Sequence, residues 1–396
     1  MMSYAVDRLA ILLTFRIFRY QRNERIALRA RERERTMGPR IAPARLTMRS
    51  VAKRAGVSSA TVSRVINGSA PVTEEVARHV RRIIEELNFV PSPIATTLKY
   101  GRSKTYGLII PDLANPFFPE FLIKFEELLV ENDQELLLAT TQSSEVKLVS
   151  SIRRMLTRRV DGVVLMASEF DTKAIEPLFH HRIPIVTVDR RHAEKGAGDV
   201  AIDFEGGYRQ AILHLRDLGH RRIGFIGGTE ELLTSQIRLD AFRQALVAAG
   251  LTYNPKFIRY GNYRVGGGDA AMNSLLAASS RPTAVITAND LTAIGALRAL
   301  YANGVSVPFR MSVIGFDDIM LSDAMQPALT TIHVPKEEMA RSCIRALSHT
   351  KANLNRLGLL LSVGTSLVIR DSTAPPPPES ATKGKETTNS RVCATV

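Results

Sequence analysis

Cysteine is almost absent from this chain: two in 396 residues, Cys343 and Cys393. Two thiols so placed make neither a disulfide framework nor a metal-ligand spacing, which excludes a stapled secreted fold and a zinc module and fits a reducing cytoplasm. Long apolar runs are missing too. The nearest candidate, LAILLTFRIF at 9–18, is short, is broken by Arg16 and lacks a small-residue cleavage site. It is therefore neither a membrane span nor a signal peptide. No glycine loop followed by lysine is present, and VGGGDA at 265–270 is not the dinucleotide fingerprint. No nucleophile–base pair stands out. The reading is a protein that is not an enzyme, with no catalytic residue, no metal and no cofactor.

What is abundant is positive charge, and it is uneven. The formal net charge is +14; residues 1–47 hold 11 Arg against 4 acids, and residues 48–104 hold 10 Lys or Arg against 4 acids. The remaining body is nearly neutral. A basic front on a neutral body suggests a polyanion-binding module joined to something else, against the plainer reading of a solvated surface.

The stretch TMRSVAKRAGVSSATVSRVING gives that module a shape. Thr47 caps a helix whose apolar positions are Met48, Val51, Ala52 and Ala55, and Gly56 ends it. Val57 plugs the turn into the core. Ser58 caps a second helix with Val62, Val65 and Ile66 facing inward. Its other face shows Ser59, Ala60, Thr61, Ser63, Arg64 and Asn67, small groups and hydrogen bonders that allow close approach to a surface. A third helix starts from Thr73, with TEEV as a capping box and Val76, Val80, Ile83, Ile84 and Leu87 as its stripe. Helix, glycine turn, helix and third helix make a helix-turn-helix module. Residues 91–104 then open with Pro91 and Pro93, tolerated at a helix start, and Gly101 stops a helix of one or two turns. So short a helix needs a partner to order it.

From Thr105 short apolar runs alternate with helical stretches: YGLII, ELLLAT, GVVLMA, PIVTVD, DVAID, RIGFIG, FIRYG, TAVITA and MSVIGF. Continuous hydrophobicity marks strands buried on both faces, and about ten of them make two doubly wound parallel sheets. Polar residues follow the strands: Asp112, Ser168, Asp189, Arg190, Asn289, Asp290, Asp317 and Asp318. In open parallel sheets ligands bind outside these strand ends. Carboxylates, an amide and arginines there suit a polyhydroxylated ligand, with Phe117, Phe118 or Tyr263 stacking on its apolar face and Arg238 pointing into the cleft. A lone Asp at a strand end is more often a helix cap, and it is the polar strand ends taken together that point to a cleft.

SVAKRAGVSSATVSRVING, VRRIIEELNFVPS, IIPDLANPFFPEF, RRVDGVVLMAS, HLRDLGHRRIGFIGG, TANDLTAIGALRAL and VIGFDDIMLSDAMQPALTTI resemble the lactose-repressor family of bacterial transcription regulators over about residues 47–372. The resemblance implies a DNA-binding transcription regulator, a repressor by default, controlled by a small-molecule effector. In the family the second helix lies in the major groove. By motif, Ser59, Ala60 and Arg64 are base-reading positions, Arg64 suiting guanine O6 and N7. Ser58, Thr61, Ser63 and Asn67 are phosphate contacts. The segment after it becomes a hinge helix in which Ala95 allows close packing and Leu98 wedges into the minor groove; Pro93 departs from the family's pattern. Phe117, Phe118, Asp189, Arg238, Tyr263, Asn289 and Asp317 fall on effector-contact positions, while Asp290 reads as a cap and Asp318 as structural. Purine-binding relatives carry an arginine six residues before Arg238; Leu232 stands there, which leaves a sugar or sugar acid.

The expected architecture is α/β: a helix-turn-helix domain at 47–90, a hinge at 91–104, and at 105–372 two periplasmic-binding-protein-like subdomains joined by three crossovers. Residues 1–46 have no counterpart and read as a mis-assigned start, Met37 or Met48 beginning a more usual chain, or else as a basic arm. Residues 373–396, rich in Pro, Ser and Thr, read as a disordered tail. A tetramerising leucine-heptad tail is missing, so the expected state is a cytoplasmic homodimer on a pseudo-palindromic operator, with no membrane partner. A sugar-binding transport protein would explain the body alone and would require an export signal.

Overall fold

The computed structural model describes residues 46–68, 71–90, 102–166 and 172–378. They fall into two compact units, one helical and one of mixed sheet and helix. The helical unit comprises α1 (Met48–Ala55), α2 (Ser59–Asn67) and α3 (Glu74–Glu86). Thr47 and Ser50 form a reciprocal capping box at the start of α1, and Gly56 turns the chain out of it at φ 65°, a left-handed conformation that glycine adopts without a Cβ clash. Val51, Ala52, Ala55, Val62, Val80, Ile83 and Phe89 form its core, with Val57, Val65 and Ile66 packed against them. One expected cap is not made. Thr73 makes no side-chain cap bond; Glu74 and Glu75 in the first turn of α3 supply the negative charge that its N-terminus favours.

The second unit holds two six-stranded sheets. The first contains β1 (Thr105–Ile110), β2 (Glu135–Thr140), β3 (Gly162–Leu165), β4 (Ile185–Val188), β5 (Ala197–Ile202) and β11 (Leu360–Val363), in the order β11-β5-β4-β3-β1-β2. Every neighbouring pair in it is parallel. The second contains β6 (Ile223–Gly227), β7 (Ile258–Tyr260), β8 (Ala284–Thr287), β9 (Ser312–Asp317), β10 (Thr330–His333) and β12 (Ser366–Val368), in the order β12-β10-β9-β8-β6-β7. Only β12 runs antiparallel to its neighbour. The helices are α4 (Phe117–Val130), α5 (Glu145–Arg158), α6 (Glu176–His180), α7 (Phe204–Asp217), α8 (Leu233–Ala248), α9 (Val265–Ala277), α10 (Asp290–Ala302), α11 (Leu321–Ala324) and α12 (Lys336–Ala352). The chain crosses between sheets three times: through α7 from β5 to β6, through α12 from β10 to β11, and directly from β11 to β12.

The nine apolar runs of the sequence become β1 to β9. The three further strands carry weaker signals. In β10, Thr330 and Thr331 are fully buried but hydrogen-bonded, so the run is polar in composition and interior in position. At the sheet edges, β11 is half exposed and β12 is three residues long. The expected tail also starts late: Thr373 bonds His214, and the Ala374 carbonyl lies 2.9 Å from buried His220.

Candidate nucleic-acid interface and ligand cleft

On α2 the outward face consists of Ser58, Ser59, Ala60, Arg64 and Asn67, all exposed, with Thr61 half-buried. Ser58 Oγ accepts the Thr61 amide at 3.0 Å and lies 2.9 Å from its hydroxyl, so the cap and the outward polar face share one residue. Asn67 Nδ2 donates to the Ser63 carbonyl at 2.6 Å. Ser63 departs from expectation. It is only 5% exposed, although Ala60 and Asn67 one turn away are exposed, and its hydroxyl accepts the Asn67 amide at 3.2 Å. A buried hydroxyl already bonded inside the helix is poorly placed to reach a phosphate. Ala95 and Leu98, like Ser168, lie outside the described residues.

The carboxyl ends of the strands of both sheets converge on one cavity of about 180 Å3. Phe117, Phe118, Asp189, Arg238, Tyr263, Asn289 and Asp317 all line it. Asp189 follows β4 at φ 60° and accepts the Ile202 amide at 2.7 Å. Burial pushes its carboxyl up to about 7, against the opposing pull of that bond and of Arg238. Asp317 ends β9 at φ 110°, a backbone region few side chains adopt. Burial raises its pKa, Arg238 and Lys336 counter that, and Asp290 adds like-charge repulsion.

Arg238 sits in the second turn of α8 rather than opening it. Its guanidinium lies 4.3 Å from the Phe204 ring centre and 4.6 Å from that of Phe316, and Nη1 donates to the Ala288 carbonyl at 2.6 Å. Its Nε is buried with no hydrogen-bond partner. A buried charged donor without an acceptor is costly, and the buried Tyr208 hydroxyl interacts with this guanidinium. The Tyr263 hydroxyl is held 2.8 Å from Ser235 Oγ, and its carbonyl accepts Asn289 Nδ2 at 3.2 Å. Asn289 Oδ1 caps α10 through the Thr292 amide and hydroxyl, which leaves one amide proton for the cavity.

Asp290 is therefore not the cap; Asn289 is. The Asp290 carboxylate is wholly buried and reaches across to the Thr331 hydroxyl at 2.5 Å, the Ile319 amide at 2.9 Å and the Ser322 hydroxyl at 2.8 Å. Gly315 makes this possible, since a Cβ there would stand 2.0 Å from Asp290 Oδ1. Asp318 pairs with Arg370 at 2.8 Å and His333 at 2.9 Å, a structural role.

Residues 47–92 match the model of bacterial regulatory proteins of the lacI family, and residues 212–373 match a periplasmic binding protein-like domain. The ribose operon repressor of Haemophilus influenzae is 35% identical over 326 residues, 82% of this chain and 98% of that protein. The chain belongs to the lacI family. The HTH-type transcriptional repressor PurR of Photobacterium profundum is similar at 33% identity, over 82% of the chain and 98% of that protein. Among solved structures, the transcriptional regulator CelR in complex with cellobiose is 33% identical with a TM-score of 0.63, covering 83% of this chain and all of that one. The lac repressor dimer bound to operator and the anti-inducer ONPF shares the fold at a TM-score of 0.74, with 24% identity over 83% of this chain and 99% of that one.

This lacI-family member is thus a DNA-binding transcriptional regulator with a ligand-binding domain, and the Haemophilus influenzae and Photobacterium profundum relatives are repressors. No helix among the described residues is long and apolar enough to cross a membrane. The cavity also includes residues that the sequence did not mark as site residues: Asn115, Ser143, Thr229 and Arg264. Two had signals. Asn115 lies within ANPFF beside Phe117, and Arg264 directly follows Tyr263.

Proposed function

We propose that the protein represses transcription by binding a pseudo-palindromic double-stranded operator as a homodimer, and that a carbohydrate of one sugar ring in the cleft sets its operator affinity. The observation that carries the reading is the combination, in one cavity of about 180 Å3, of buried Asp189, Arg238 and Asp317 with the rings of Phe117, Phe118 and Tyr263. Vicinal hydroxyls donate and accept at once, which matches adjacent carboxyl and guanidinium groups, while the C–H face of a sugar ring suits an aromatic face. The cavity falls below the roughly 300–1,000 Å3 of drug-sized sites. The ribose repressor and the CelR–cellobiose complex favour a carbohydrate, and the PurR relatives raise a purine. Leu232 lines the cavity where purine-binding relatives carry arginine, which supports a sugar or sugar acid.

On the DNA side, Ser59, Ala60 and Arg64 read bases, and Ser58, Thr61 and Asn67 touch phosphates. Residues 91–104 act as the hinge between a DNA-binding domain at 47–90 and an effector domain at 105–372, with Ala95 packing and Leu98 wedging into the operator. The setting is the cytoplasm. The experiment is a thermal-shift panel of monosaccharides, sugar acids and purines, joined to operator selection from random DNA. A sugar or sugar acid that shifts the melting point and changes affinity for the selected operator bears the reading out. A shift with purines alone overturns the effector class, and an asymmetric half-site protected by a monomer overturns the dimer.

A further inference from the structure

The cleft carries an ion pair between its two walls. Asp112 lies in the loop after β1, on the first sheet; Arg264 immediately precedes α9, after β7 on the second. Both line the cavity, and the guanidinium meets the carboxylate in two-pronged fashion, Nη1 with Oδ1 and Nη2 with Oδ2. Each partner is anchored on its own wall. Asp112 Oδ1 accepts the Ala114 amide at 2.7 Å and that of Asn115 at 3.2 Å, which shapes the turn leading into α4. Arg264 follows Tyr263, whose hydroxyl and carbonyl are both held, so its backbone is fixed relative to the aromatic face of the site.

A second tie between the walls has a different character. Glu120 on α4 pairs with Lys336 at 3.1 Å and accepts the Met320 amide at 2.9 Å, while Lys336 Nζ donates to the carbonyls of Asp317 and Asp318. The Lys336 side chain is 10% exposed and stands beside one of the crossovers, so this tie belongs to the hinge side. The Arg264 side chain is 43% exposed, which puts the Asp112 pair at the mouth. One tie is permanent architecture, and the other is reachable by whatever enters.

We infer that the Asp112–Arg264 pair is a clasp that limits effector length: it closes over a ligand of one sugar ring and cannot form over two. The inference rests on the carbohydrate reading above. Both charges are satisfied by each other when the clasp is shut, so a ligand that fits beneath gains an enclosing lid without offering a charge. A ligand that protrudes must break the pair and leave the Asp112 carboxylate with only the Ala114 and Asn115 amides, and the Arg264 guanidinium without its acceptor.

The test is isothermal titration of the full-length protein with the monosaccharide found in the panel and with cellobiose as the two-ring probe. Wild type should bind the monosaccharide in preference. Arg264→Ala should weaken the monosaccharide about five-fold, the size expected for a partly exposed ion pair, while leaving cellobiose unchanged or tighter. Asp112→Asn retains the turn-forming oxygen and loses the charge, so it should match Arg264→Ala; a folding defect would instead appear only with Asp112→Ala. Wild type that bound cellobiose as tightly as the monosaccharide would overturn the length limit, and single losses that simply added in the double Asp112→Asn/Arg264→Ala variant would overturn the clasp. If the panel returns only a purine, the carbohydrate reading has failed; the same double-variant cycle is then run with that purine, and non-additive losses sustain the clasp while additive ones remove it.

Discussion

Arg64 of α2 and Arg238 of α8 carry the same guanidinium into opposite surroundings. Arg64 is exposed and holds no hydrogen bond or ion pair among the described residues. Arg238 is 9% exposed, lies between two aromatic rings and shares its neighbourhood with two carboxyl groups. The first can be changed with little consequence for the fold, because water replaces whatever it loses. The second cannot, because a buried charge removed from a balanced set leaves its partners uncompensated. On the proposed reading, recognition on α2 depends on which atoms project, and recognition in the cleft depends on buried charged groups that line it.

The comparison breaks most visibly if the cleft is damaged without touching α2. Asp317→Ala should abolish the effector response, collapsing a typical coupling of about 5- to 150-fold in operator affinity to none, while effector-free operator binding persists. Operator titration with and without the effector checks this, and loss of all DNA binding would recast Asp317 as a structural residue. The converse is Arg64→Ala, expected to cost roughly 1–3 kcal/mol at one base position per half-site and to leave effector affinity untouched. Selection of the variant's consensus from random DNA reads it out.

Titration separates the two regions next. Asp189 is held near 7 by burial, with Asp317 also raised. Ionised carboxyls accept hydroxyl donors, so effector affinity should fall as pH drops below about 7, by up to ten-fold per unit for one proton. Stability runs the other way: the folded protein retains protons that the unfolded chain releases above about 4, so the ligand-free melting point should fall as pH rises from about 4 towards 7. Asp189→Asn should flatten both profiles. The smallest effect sharpens α2 itself. Ser63→Ala should change operator affinity by less than about two-fold and instead lower the melting point of the helical unit, since the hydroxyl works inside the helix. A uniform loss on all DNA sequences would restore its phosphate contact.

Much of this organisation is legible in the residues. Thr47, Gly56 and Ser58 announce caps and a turn because those functions need a particular oxygen or the lack of a Cβ, and all three perform as read. Strands β1 to β9 are legible because burial on both faces demands unbroken hydrophobicity. β10 is not, since its interior threonines are satisfied by hydroxyl bonds to residues forty positions away. The same long-range pairing hides Asp290, whose partners Ser322 and Thr331 are brought near only by the fold. Ser63 misleads for the opposite reason: a serine on a helix next to exposed residues looks outward, and only packing shows otherwise. Arg264 is flagged only by its neighbour Tyr263, and its pairing with Asp112 shows itself only when two loops from different sheets meet.

The position of β11 bears on how the protein is born. Strands β1 to β5 have all left the ribosome once residue 202 has emerged, yet the strand that covers the free edge of β5 is encoded only at Leu360–Val363. At the usual pace of bacterial synthesis, some 5–20 residues per second, that edge waits on the order of ten to thirty seconds. Through that interval β5 offers unpaired backbone groups to any neighbouring nascent chain. Truncations ending before residue 360 should therefore be recovered as aggregates, and slowing translation between β5 and β11 should lower the soluble yield of the intact protein.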